Sequence, residues 1–158
     1  MAAKYSYKPV GGVVSVLLYP SDSVGTALFS KEGCEVEFGG VAIEVELLDD
    51  SSYYEEKIEN RCGALRVSHT LQLKANRLIA EQWLNNGFLE QAATDGLIAD
   101  IGMNDGRHLL VGYSKNYGNE QPLRLEYLIS SSGTSPSEQP TAILRLVSVD
   151  TEFSQEIL

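Results

Sequence analysis

Apolar and polar residues alternate with period two through most of this chain. Leu65, Val67, His69, Leu71 and Leu73 alternate with Arg66, Ser68, Thr70, Gln72 and Lys74. Successive side chains of a strand point to opposite faces, so this row predicts a strand with one face on a core and one in water. Val41, Ile43, Val45 and Leu47, alternating with Ala42, Glu44, Glu46 and Leu48, predict another. Leu97, Ala99, Ile101 and Met103 form a further row, followed by Asn104-Asp105-Gly106 and then Leu109, Val111 and Tyr113. A tight hairpin turn needs positive φ, which Asn, Asp and Gly tolerate, so these two runs predict a hairpin. Leu123 to Ser130 and Thr141 to Val149 read as two more strands.

One segment carries helical periodicity instead. In Asn76–Gly96, Ala80, Leu84 and Phe88 fall on one stripe beside Ile79 and Trp83. Asn76 can cap its start. Asn85-Asn86-Gly87 can end a first helix, with Phe88 to Thr94 as a second turn stopped by Asp95-Gly96; Gly87 can equally sit inside one helix, at a cost of about 1 kcal/mol relative to Ala. The pattern therefore predicts a β-rich α+β fold. We expect an antiparallel sandwich or curved sheet with one main helix, about residues 76–94, against an edge or open end. Trp83 and Leu84 are expected to pack on the Leu65–Leu73 row.

Length and composition fit one domain spanning residues 1–158. The chain has 158 residues, of which 43% are hydrophobic, enough to bury roughly 70% of the surface its unfolded state exposes without disulfides. The formal net charge is −10 and no Lys/Arg run occurs. Phosphate contact depends on clustered cations, so nucleic acid is not an expected partner, and anionic membranes are disfavoured. The apolar run Val13–Tyr19 is too short for a membrane span and lacks signal-peptide flanks, which predicts synthesis and folding in the cytoplasm. Cys34 and Cys62 each stand alone, as two unpaired thiols would.

Reactive constellations are sparse. His69 falls on the apolar row of its strand and reads as a core or interface histidine, and His108 follows the Asn-Asp-Gly turn near the surface. No His-x-x-x-His or His-x-x-Glu-His spacing exists, so no metal site is expected. Gly112-Tyr113-Ser114 is not a nucleophile elbow, because Asn116 stands where the second glycine belongs. Ser114, His69 and an aspartate could be arranged as a triad, but no spacing rule tests it. Asp49-Asp50 and Glu55-Glu56 read as solvated turns or strand ends. No catalytic residue and no cofactor is expected, and the chain does not read as an enzyme. Tyr113, Tyr117 and Arg124 form a candidate interface cluster, since Tyr and Arg are enriched in contact patches.

Ser130–Gln139 is a ten-residue polar stretch between two strands. It contains Ser131, Gly133 and Pro136, has no apolar anchor, His or Cys, and is too long for a simple hairpin turn. It reads as a protruding arm, ordered against a neighbouring subunit, and Ser131, Gly133 and Pro136 are candidate interface residues. The stretch LLVGYSKNYGNEQPLRLEYLISSSGTSPSEQPTAILRLVSVDT, residues 109–151, resembles the C-terminal part of small prophage proteins of gut bacteria encoded near tail genes. The general plan is similar to phage tail-tube and tail-completion proteins. That resemblance implies a β-sandwich with one helix and a long hairpin arm, self-association into a ring, contact with other tail proteins, and a final place in the virion. Two readings remain beside this one: a small bacterial protein-binding or adaptor domain, and an enzyme with an unrecognised carboxylate site.

Overall fold

A computed structural model of the chain describes residues 12–40, 42–45, 52–115, 118–131, 141–150 and 153–158. Among them eleven strands and two helices follow in the order β1 (Val13–Pro20), β2 (Val24–Phe29), β3 (Cys34–Phe38), β4 (Ile43–Glu44), β5 (Tyr53–Arg61), β6 (Ala64–Asn76), α1 (Arg77–Asn85), α2 (Phe88–Thr94), β7 (Leu97–Met103), β8 (His108–Val111), β9 (Arg124–Ser131), β10 (Thr141–Asp150) and β11 (Gln155–Glu156). The strands build a five-stranded sheet, β11-β8-β7-β1-β4, a four-stranded sheet, β5-β6-β10-β9, and the β2–β3 hairpin. Every pair of named strands is antiparallel. The fold is β-rich α+β, as the alternation predicts.

The two larger sheets face each other across one core. Val16 and Leu18 from β1 and Leu97, Ala99 and Ile101 from β7 meet Leu71 and Leu73 from β6 and Leu144 and Leu146 from β10. The other face of the five-stranded sheet is also covered. Ile98 and Leu110 pack there with Cys34 of β3, flanked by Phe29, Phe38 and Tyr113. This second layer explains why β7 buries Leu97, Ile98 and Ala99 in succession: a strand covered on both faces needs apolar residues at both parities.

The expected single helix is two. Asn76 caps α1, its side chain accepting from Ile79 N at 3.0 Å. Gly87 then takes φ +79°, a left-handed conformation that costs glycine little, and the chain turns before α2. Trp83 and Phe88, both buried, close the joint with ring centroids 5.6 Å apart. Trp83 belongs to the same core cluster as Leu71 and Leu73; the Leu84 side chain lies outside what the structure describes.

Two further expectations are corrected or bounded. Leu65 shares the inward face of β6 yet is 62% exposed, because the opposing layer ends near Val67. Of the Val41–Leu48 run the described residues hold the strand Ile43–Glu44, with Val45 N donating to Val16 O; residues 41 and 46–51 lie outside the described set. β5 and the β2–β3 hairpin were not expected at all. The hairpin over Asn104-Asp105-Gly106 forms as predicted, with Ala99↔Val111 to Gly102↔His108 in register. Among the described residues no helix is long and apolar enough to cross a membrane.

Candidate functional site

The inward face of the four-stranded sheet changes chemistry along its length. Reading across the strands, Leu73, Leu144 and Leu128 are in register, then Tyr54, Leu71, Leu146 and Leu125. One step further the row is Glu56, His69 and Ser148, and the next is Ile58, Val67 and Asp150. Strand alternation thus brings a phenol, two carboxylates, an imidazole and a hydroxyl to one end of the sandwich, from positions with no local pattern linking them.

Tyr54 and His69 bond to each other, and Glu56 and Ser148 bond to neighbouring segments of the chain. Tyr54 Oη lies 2.5 Å from His69 Nδ1, the two sharing one hydrogen. Glu56 accepts from Ser154 Oγ at 2.5 Å and from Ser154 N at 3.4 Å, tying β5 to the segment before β11. Ser148 Oγ donates to Gln121 O at 2.7 Å. His69 is 4% exposed and Ser148 7%, so these bonds replace water that burial has removed. Burial, and next to it the negative charge of Glu56, push the Tyr54 phenol well above the usual range.

Ser114, His69 and Asp150 do line one cavity here. The arrangement differs from a triad in two respects. The His69 Nδ1 position, where a triad places its carboxylate, faces the Tyr54 hydroxyl. The cavity leaves about 10 Å³ open to the centre of a water molecule, room for about one water and for no substrate. A tyrosine serving as base or nucleophile needs a lowered pKa, and the shift on Tyr54 is the reverse. Among the described residues no group of three or more His, Cys, Asp or Glu side chains could hold a metal ion.

Of the candidate interface residues, Tyr113 and Arg124 are described with their side chains. Tyr113 packs in the second core layer, its ring parallel to Phe29 with centroids 6.1 Å apart. Arg124 starts β9, places Nε 3.5 Å from Thr94 O at the end of α2, and lines an open depression of about 430 Å³ with Asp22 and Asp95. Tyr117, Gly133 and Pro136 lie outside the described residues, as does most of the Ser130–Gln139 arm; Ser131 is described only as the last residue of β9, in register with Thr141. His108 reaches Asp100 at 2.7 Å on the surface.

An uncovered element lies instead at β5–β6. These strands pair from Tyr53↔Gln72 to Arg61↔Ala64, closed by the two-residue turn Cys62-Gly63. Both turn residues have positive φ, 53° and 87°, the pairing that matches the twist of a two-residue hairpin. Its far end passes beyond the opposing layer. Ile58 is 51% and Leu65 62% exposed on the inward face, and Phe153 nearby in the chain's last segment is 53% exposed. β5 is also the outer strand of its sheet. A nine-residue edge with apolar side chains is a template for pairing unless it is blunted or covered.

Comparison with protein-family models, with curated proteins and with solved structures finds no match to the chain.

Proposed function

We propose that the chain is a non-catalytic structural subunit that assembles with copies of itself, of the kind used in phage or phage-like tails. The observation that carries this reading is the β5–β6 hairpin, which among the described residues presents the outer strand edge of its sheet together with the exposed Ile58 and Leu65. The polar end of the core supports it too: Tyr54 and His69 are bonded to each other, Glu56 ties β5 to the segment before β11, and the space they leave is too small for a reactant. The tail assignment rests on the resemblance of residues 109–151 and on the two-sheet plan. A ring requires head-to-tail contact between two different surfaces, to which the 130–139 arm could contribute one.

Light scattering on the eluting full-length protein, repeated over a range of loading concentrations, tests this reading. An assembling subunit has a molar mass that rises with concentration above that of the 17.3 kDa chain. A mass fixed at the single chain up to near-millimolar concentration contradicts it.

A further inference from the structure

The closure of the β5–β6 turn decides which backbone groups face the open edge. A two-residue turn is flanked by a pair that exchanges both hydrogen bonds, here Arg61 and Ala64. Hydrogen-bonded and non-hydrogen-bonded pairs then alternate, so residues 59, 57, 55 and 53 bond to β6, and residues 60, 58, 56 and 54 turn their N–H and C=O groups outward. The opposite outer strand of the sheet, β9, is packed against both helices, with Arg124 bonded to Thr94 O. Among the described residues, β5 is therefore the edge of this sheet that is open to strand addition.

Side-chain order along β5 selects the partner. The face turned away from the core reads Glu55, Lys57, Glu59, alternating in charge, and Lys57 Nζ already approaches Glu59 Oε1 at 3.6 Å along the strand. The face turned toward the core carries the exposed Ile58. We infer that two copies of the chain pair antiparallel along β5 about a two-fold axis at Ile58, joining two four-stranded sheets into one of eight strands. This deepens the assembly reading and rests on it.

The register follows from the charges. Centred on Ile58, the pairing sets Lys57 opposite Glu59 of the second copy, Glu56 opposite Asn60, and Ile58 opposite itself. By symmetry each charged pair occurs twice, and the outward-turned groups of residues 56, 58 and 60 meet in hydrogen-bonded pairs. The two Ile58 side chains meet on the inward face, close to both Leu65 residues. Moving the axis to Lys57 sets lysine against lysine and Glu55 against Glu59. Moving it to Glu59 sets glutamate against glutamate. An axis at Glu56 places two inward carboxylates face to face. Like charges directly opposite destabilise a sheet and opposite ones stabilise it, so the Ile58 axis is the favoured register. It makes a two-fold dimer; any ring would be built from such dimers through another surface.

The test is disulfide trapping with two single variants, Lys57→Cys and Glu59→Cys, each made with Cys62→Asn to remove the exposed native thiol. In this register residue 57 faces residue 59 across a non-hydrogen-bonded pair, with Cα atoms about 4.5 Å apart, within disulfide reach. Neither variant oxidised alone should give a linked dimer, and an equimolar mixture should. A companion measurement uses charge: Lys57→Glu should weaken dimerisation about tenfold through two reversed pairs, and Lys57→Glu with Glu59→Lys should restore it to within about threefold. Both positions are on the solvent side of the strand, and equal melting temperatures confirm that the variants fold. No linked dimer in the mixture, or no rescue by the double exchange, overturns the β5 pairing. If the wild-type chain still self-associates in that case, the assembly reading survives without it; if the wild type is monomeric, both fall.

Discussion

Replacing Tyr54 by phenylalanine tests the polar end of the core, and the size of the effect follows from its surroundings. The substitution keeps the ring and removes only the hydroxyl that lies 2.5 Å from His69 Nδ1. A buried partner left without its bond costs about 1–3 kcal/mol, and that loss is expected near pH 8. The pH dependence is more diagnostic. Burial and the charge of Glu56 raise the Tyr54 pKa well above its value of 10.0 in the unfolded chain. Above that pH the unfolded phenol releases its proton while the folded one keeps it, so the folded state binds more protons and stability falls as pH rises. The contribution of Tyr54 is complete below pH 10 and shrinks by about 1 kcal/mol between pH 10 and 11, approaching about 1.4 kcal/mol per further unit. Cys34 and Tyr19 are shifted the same way but occur in both proteins and cancel in the difference. Urea unfolding of wild type and Tyr54→Phe at pH 8, 10 and 11, with reductant present, gives the measurement. The stability gap between the two proteins should narrow across that range. A gap that stays constant refutes the idea that this hydroxyl is desolvated beside Glu56.

Two other outcomes follow from the same structure. Leu71 is fully buried in register with Tyr54 and Leu146, so Leu71→Ala should lower stability by about 2–5 kcal/mol in denaturant titration. Cys34 is buried and its thiol is pushed up to about 11, whereas Cys62 is exposed in the hairpin turn. Iodoacetamide at pH 8 should therefore modify Cys62 in the native protein and reach Cys34 only after unfolding, as peptide mass analysis would show.

Alternation made β6, β9 and β10 legible through the one face each lays on the main core, and β7 and β8 through the apolar rows that flank the Asn104-Asp105-Gly106 turn, although both of these are covered on both faces. Leu65 shows where that logic stops: its parity is correct, but burial depends on whether another layer extends above it. The helical segment was legible through Asn76 and its apolar stripe, and its division at Gly87 was one of two readings that propensity alone left open. β5 escaped because its inward positions are Tyr54, Glu56, Ile58 and Asn60, a row with one aliphatic residue. The signal that could have found it was the turn Cys62-Gly63 immediately before a strongly alternating strand. The polar cluster had no such signal. Glu56 and Ser154 are 98 positions apart, and only the pairing of β5, β6 and β10 with the chain's last segment brings Tyr54, Glu56, His69 and Ser154 together. The interface cluster around Tyr113 and Arg124 drew on residue type, which does not distinguish a ring stacked in a second core layer from one offered to a partner.

Sedimentation equilibrium of wild type against Ile58→Lys tests the central claim most directly. Ile58 is 51% exposed, so lysine there should leave the melting temperature of the single chain nearly unchanged. In the assembly it would set two ammonium groups against each other at the two-fold axis, where like charges repel. We predict that the wild type self-associates as concentration rises and that Ile58→Lys remains a folded monomer over the same range. A variant that associates as strongly as the wild type would contradict assembly through the β5 edge.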